Sequence, residues 1–301
     1  MAEKDSVTIG KDSIYGAAVV ILACLFVISI FTQGFGLVKS APVVCPVCNT
    51  TCPTANTAQA AQPTQPTQAA PASGGTLQVP QSLSMAPLEG SSSHAVTVLE
   101  FFDFQCPFCG MAWGKDYSAQ YASITGTVQD YEADYVQTGK ANFQVMPVAF
   151  LGQESTNAAN AAFCANAQGK FWDMYTALFT AQDPHEDDGK YSTANLTTMA
   201  ANVTGMDMAK FTACLSNNTY ASEVSDFTGE WQTVSQANTG NAGTPTFYVL
   251  VDASKVTKAQ VSAAAAAGGF NWGITSDGST YVILASPEYA NLNMTLSSLI
   301  G

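Results

Sequence analysis

Arginine is missing from this 301-residue chain: all ten basic side chains are lysine, against 23 acidic ones, for a net charge of -13. Without that planar, fork-shaped donor, and with so negative a balance, nucleic-acid binding and bidentate phosphate clamping are excluded as readings. Histidine is nearly as scarce, with His94 and His185 far apart, so no histidine-built metal centre is expected. Charge of either sign is sparse at 11% of residues, whereas 47% are apolar. That is enough to bury the core of one generous domain or two small ones. Eight cysteines remain to be explained.

Residues 14–38 form a run of 25 positions without a charge, and residues 14–31 are almost wholly apolar. Eighteen helical residues span about 27 Å, close to the hydrocarbon thickness of a bilayer. A cleaved signal peptide is the rival, but its apolar core is usually only about 7–15 residues long. The expectation is a retained single-pass anchor at 14–38, with residues 1–13 cytoplasmic because Lys4 and Lys11 precede the span. Everything downstream then lies outside the cytoplasm at the cell membrane. Asn-x-Ser/Thr acceptors at Asn49, Asn195, Asn202, Asn217 and Asn293, and seven of the eight cysteines, fall on that outer side. Residues 39–93 read as a cysteine-containing juxtamembrane segment and a linker. From Pro53 to Ser93 there are six prolines, much Ala, Gln, Thr and Ser, and one charge, Glu89.

A folded domain is expected over residues 94–301. It opens on the apolar, β-branched and aromatic run 95–102, which suits a buried strand but carries Glu100. Cys106-Pro107-Phe108-Cys109 follows, then a helix-permissive stretch. Strand, tight turn, CxxC and helix place the first sulfur at a helix N-terminus, where free amide groups and the positive dipole end stabilise a thiolate. The thiolate is the nucleophile of disulfide exchange. A structural disulfide or half a zinc site would use the same residues, but no second CxxC or histidine pair stands at zinc-ribbon distance in this domain.

The segment Val98-Leu-Glu-Phe-Phe-Asp-Phe-Gln-Cys-Pro-Phe-Cys109 resembles the active-site strand and turn of the DsbA family of thioredoxin-fold thiol oxidoreductases, in particular its membrane-anchored Gram-positive and archaeal-type branch. Tyr135 to Lys140 with Phe143 to Pro147, then Gln168 to Trp172 with Leu178-Phe179, resemble further parts of that family, and Gly243-Thr-Pro-Thr-Phe247 resembles its cis-proline loop. The resemblance implies an α/β thioredoxin fold with an inserted helical subdomain at about 153–238. It implies a protein thiol:disulfide oxidoreductase in which Cys106 is the exposed nucleophile, Cys109 the second sulfur, and Thr244 and Pro245 the wall of the substrate groove. Glu100 stands where the family has a buried acid that moves protons for the second sulfur; from the pattern alone it could instead be a strand-edge residue facing water. No dissociable cofactor is implied, and the partners implied are unfolded secreted or surface proteins and a quinone-linked membrane protein that reoxidises the pair. The favoured activity is disulfide introduction; a reductase or isomerase, or a non-catalytic surface binding protein on the same fold, are the alternatives. Around 119–129 and from Ala259 onward the chain departs from the family, with a hairpin signal at Asp277-Gly278 before the strand-like 280–284.

Three groups of cysteines remain. Cys24 lies within the apolar span. Cys164 and Cys214, both in the inserted helical region, are expected to form a structural disulfide, since neither has the turn that activates CxxC. Cys45-Pro-Val-Cys48 with Cys52, just beyond the span, admits a local disulfide with one sulfur left for an intermolecular bridge, an accessory redox relay to Cys106–Cys109, or a three-thiolate metal site.

Overall fold

A computed structural model describes residues 74–301, apart from Ser92. The expected anchor at 14–38 and Cys24, Cys45, Cys48 and Cys52 lie outside the described residues. Among the described residues no helix is long and apolar enough to cross a membrane.

A seven-stranded mixed sheet carries the fold: β1 (Gly75–Thr76), β2 (Leu88–Glu89), β3 (Val96–Phe102), β4 (Asn142–Pro147), β5 (Thr246–Asp252), β6 (Asn271–Ile274) and β7 (Thr280–Ala285), in the spatial order β1-β6-β7-β5-β3-β4-β2. β3 lies in the interior of the sheet, parallel to β4 and antiparallel to β5. Six of its seven residues are buried, so it reads in sequence as an almost unbroken apolar run instead of an alternating one. The hairpin signal at Asp277-Gly278 does turn the chain: Gly278 takes φ 72°, and β6 and β7 pair antiparallel on either side.

Helices cover both faces. Against the face carrying Val98, Glu100, Phe102, Phe143 and Val145 lie α1 (Pro107–Trp113), α2 (Thr127–Tyr131) with a π-helical turn continuing it through Glu132–Val136, and α4 (Phe171–Ala181). The C-terminal helices α8 (Lys258–Gly268) and α9 (Tyr289–Ile300) join the same core. The other face, with Leu99, Phe101, Met146 and Tyr248, receives Phe163 of α3 (Gln153–Asn166) and Phe227 and Trp231 of α7 (Ala221–Thr239). α5 (Thr193–Ala201) and α6 (Met208–Ser216) complete a helical insertion between β4 and β5.

The folded unit starts earlier than the composition suggests. β1 and β2 both fall within the stretch assigned to the linker, and a 3-10 turn over Gln81–Met85 lies between them. Proline and small polar residues set a linker's composition, but two-residue strands need little sequence signal when an existing edge supplies the partner groups. Leu77 N–H donates to the Ile274 carbonyl at 3.0 Å, the Asn238 side chain holds both the N–H and the carbonyl of Gln78, and Glu230 accepts from Ser82 N–H. Gly273 makes β1 possible, because a Cβ there would stand 2.3 Å from the Gly75 carbonyl oxygen.

Cys164 of α3 and Cys214 of α6 are joined by a disulfide, with Cα atoms 5.8 Å apart and a sequence separation of 50. Closing a loop of that length removes chain entropy worth about 4 kcal/mol from the unfolded state. Replacing both cysteines with alanine is therefore expected to lower stability by about 2–4 kcal/mol in denaturant titration. An unchanged midpoint and slope would show that the helical insertion is held by packing alone.

Candidate active site

The end of β3 delivers the chain into a turn that is held from several sides. Asp103 is fully buried; its Oδ1 accepts from Gln105 N–H at 2.9 Å and from the Ser155 hydroxyl at 2.7 Å, while its Oδ2 accepts from Phe150 N–H at 3.0 Å. The Asp103 carbonyl accepts from Cys106 N–H at 3.0 Å. Gln182, at the end of α4, donates through Nε2 to the carbonyls of Phe104 at 2.7 Å and Cys106 at 2.9 Å, and the Tyr191 hydroxyl donates to Phe104 at 3.1 Å. Gly110 leaves the room for this clamp, since a Cβ there would meet Gln182 Oε1 at 1.6 Å. Asp103, Gln182 and Tyr191 carry no local signal in the sequence, and only their contacts reveal them.

Cys106 occupies the N-cap position of α1, extended at φ -65° and ψ 118°, with Pro107 as the first helical residue. Proline suits that position because its missing N–H would have had no partner there. Cys106 and Cys109 are both free thiols. Cys106 is 5% exposed, which corrects the expectation of an exposed nucleophile: its sulfur is roofed by the loop before β5, 3.5 Å from the Thr244 carbonyl. What stands free beside it is Phe108, 41% exposed and edge-on to Tyr121 at 5.0 Å.

The roof is the Thr244-Pro245 segment, whose peptide bond is cis. Trp231 of α7 donates through Nε1 to the Gly243 carbonyl at 3.3 Å, and the Thr246 hydroxyl donates to the same oxygen at 2.5 Å. Thr244 meets the sulfur through its backbone, and its own hydroxyl is buried without a partner.

The two thiols are driven apart in acidity. A hydrogen bond from Cys109 pulls the Cys106 pKa below the ordinary thiol value, against the opposing effect of burial, and the backbone amides of Cys109 and Phe108 add to the fall. Burial pushes Cys109 well above that value, with Cys106 and then Glu100 raising it further. Glu100 lies on the sheet face beneath α1 at 1% exposure, and neither of its oxygens has a hydrogen-bond partner. Burial holds its carboxyl well above the usual carboxylate range, and the negative charges of Glu132 and Cys106 act in the same direction. Glu132 itself is pushed up to about 7 by burial and by Glu89. Its sequence signal was an acid between Tyr131 and Tyr135 on a helix that otherwise turns apolar residues inward.

Elsewhere, ligand atoms of Asp183, His185 and Asp188 come within 4.8 Å of one another, a grouping that the reading of the histidines did not anticipate. Asp183 is already paired with Lys190 at 2.8 Å.

The sequence profile of a family described as thioredoxin matches residues 84–265, more than half of the chain. Among curated relatives, the Na(+)/H(+) antiporter NhaA 3 of Salinispora tropica is 28% identical over 174 residues, which are 58% of this chain and 23% of the antiporter. NhaA 1 of Mycolicibacterium gilvum is 27% identical over 124 residues, 41% of this chain and 17% of that protein. The chain thus spans about a quarter or less of the length of these relatives. Among solved structures, oxidised BdbD from Bacillus subtilis has a TM-score of 0.52 at 21% identity, over 76% of this chain and 98% of that one, a likeness of fold.

Two outcomes follow from the acidities. In the reduced protein Cys106 is expected to be alkylated well before Cys109, and equal labelling by mass spectrometry would count against the assigned order. For Glu132, native and unfolded states are both protonated at low pH; as pH rises from the ordinary carboxylate range to about 7 the unfolded state ionises first, so native stability falls, and above about 7 the loss is complete. Glu132→Gln should therefore raise the melting temperature relative to wild type at pH 8 and have little effect at pH 4. A constant difference across that range would contradict the raised carboxyl.

Proposed function

The chain belongs to the thioredoxin family, and on that premise we propose that it is an extracytoplasmic protein thiol:disulfide oxidoreductase that introduces disulfides into secreted or surface proteins. The observation that carries this reading is the pair of free thiols at the start of α1, Cys106 with its pKa lowered and Cys109 with its pKa raised, under the cis Thr244-Pro245 loop. A substrate thiolate attacks the Sγ of Cys106 in the oxidised protein, the Cys106–Cys109 bond breaks, and Cys109 leaves with the electron pair and takes up a proton. The substrate's second thiolate then attacks its own sulfur in the mixed disulfide and expels Cys106 as the thiolate, so two substrate thiols become one disulfide and the enzyme pair becomes the dithiol. A low thiol pKa makes Cys106 the better leaving group in that second step. A dissociable cofactor has no part in the exchange.

The Thr244 carbonyl lies 3.5 Å from the Cys106 sulfur, so an extended substrate backbone laid along the Thr244-Pro245 loop reaches the sulfur, with Phe108 and Tyr121 offering apolar contact. The uncharged run at 14–38 supports tethering at the cell membrane, and the Cys164–Cys214 bond supports an oxidising compartment. A membrane oxidant, quinone-linked by the resemblance, regenerates the disulfide. The curated relatives are named as antiporters, but this chain covers only 23% and 17% of the two described above, too little to carry transport across.

Two measurements test the reading. Oxidised full-length protein should form the disulfide of a reduced two-cysteine peptide, and Cys106→Ala should abolish this; a peptide left reduced would remove the activity. Equilibration with glutathione decides direction, because a pair less oxidising than the glutathione pool would favour the reductase reading. Phe108→His should make the pair more oxidising, since a histidine beside the thiolate offers a charge and a donor that phenylalanine lacks. Each 30 mV of shift corresponds to about 1.4 kcal/mol for two electrons.

A further inference from the structure

Glu132 is a partly buried carboxyl for which thiol exchange at Cys106 has no evident use, yet its place in the sheet is specific. Glu100 of β3 is opposite Val145 of β4, and Glu89 of the edge strand β2 is opposite Phe143 of β4. Directly opposed residues share a face, and Phe143 and Val145, two apart, share one as well. Glu89 and Glu100 thus lie on the same side of the sheet with only β4 between them. The turn that packs over β4 on that side begins with Glu132. It is π-helical, an interruption found disproportionately at functional sites.

The electrostatic couplings follow the same order. Glu89 acts on Glu132, Glu132 on Glu100, and Glu100 on Cys109. Exposure falls inward along this order, from partly exposed Glu89 and Glu132 to Glu100 at 1% and Cys109 at 0%. The other titratable groups facing the line are Cys106 from α1 and Tyr175 from α4, whose buried hydroxyl has no partner, with Asp134 and Tyr135 on the turn of Glu132 itself. The nearby cation, Lys140, lies over the ring of Tyr135 at 5.7 Å. Both oxygens of Glu100 are free to exchange a proton, but Glu100 has almost no surface of its own through which to reach water.

We propose that Glu132 relays the Cys109 proton between Glu100 and the solvent edge at Glu89, so that the proton of each exchange cycle crosses the sheet face instead of passing through the substrate groove. This rests on the thiol-exchange reading. When the Cys106–Cys109 bond breaks, the Cys109 sulfur keeps the electron pair and takes the proton of the Glu100 carboxyl; Glu100 is reprotonated from Glu132, and Glu132 from Glu89 or water. When Cys109 attacks a mixed disulfide on Cys106, Glu100 first passes its own proton outward through Glu132 and then, as the carboxylate, takes the Cys109 proton, while the partner leaves as a thiolate. A carboxyl pushed up to about 7 both gives and takes a proton near neutrality.

The test uses the full chain with Cys106 held in a mixed disulfide with glutathione. Release of glutathione by Cys109 is followed by stopped flow between about pH 5 and pH 9. Wild type should show an inflection near pH 7; E132Q should lose it and be slower by about tenfold or more, E132D should restore it, and E89Q should slow release less. Thermal melting of each variant checks that it is folded. An E132Q profile that superimposes on wild type overturns the relay while leaving the exchange reading intact. A rate lowered equally at every pH with the inflection kept marks lost packing and overturns it too. Wild-type protein that never releases glutathione instead overturns the exchange reading itself.

Discussion

Everything at this site depends on the burial of one sulfur. Cys109 is enclosed between α1 and the sheet, so its charged form is costly there, and that cost is what separates the two thiols. The Cys109 thiol then serves as a donor to Cys106, the largest influence lowering the pKa of the outer sulfur. The same burial creates a difficulty. In the proposed exchange, a sulfur expelled as an anion into an apolar interior needs a proton at once, and among the described residues the acid that acts on it is Glu100, whose own carboxyl is held well above the usual range by the same burial. One physical cause, desolvation, both polarises the thiol pair and requires an acid inside the core.

The helical insertion is part of this arrangement. Gln182 ties the end of α4 to the carbonyls of Phe104 and Cys106, and Trp231 of α7 ties the loop at Gly243 on the opposite side of the sulfur. The α1 turn and the cis-proline loop are thus each tied to a helix of the insertion, through Gln182 and Trp231. The Cys164–Cys214 bond ties α3, which precedes α4, to α6, which precedes α7. Stability of the insertion and geometry at Cys106 are linked through packing, so the disulfide bears on the shape of the site without lying in it.

Which parts of this were legible in the sequence follows from how local each signal is. The strand β3, the CxxC turn, the Thr-Pro loop and the Asp277-Gly278 hairpin are each written within a dozen residues, and each can be read from the chain. The edge strands β1 and β2 could not be, because two residues amid proline and serine carry no periodicity and acquire their structure only from the edges of β6 and β4. Gln182 and Tyr191 escaped notice for a related reason. They act through side chains on backbone carbonyls far away in sequence, and nothing in their own neighbourhood marks them. Cys106 was placed correctly at the helix start but not in depth, since the loop that covers it arrives 138 residues later.

Glu132 lies between these cases. An acid at the inward-facing start of a turn otherwise lined by Tyr131, Tyr135 and Val136 violates the local pattern, and such a violation usually marks either a satisfied polar contact or a function. A satisfied contact would have needed a cation or a donor within reach, but the charged neighbours that act on Glu132 and Glu100 are acids and a thiol. Stability alone would replace this carboxyl with an apolar residue. Its place beside the unpaired Glu100, in line with the buried Cys109 sulfur, is what turns a local inconsistency of sequence into the case for the proposed relay.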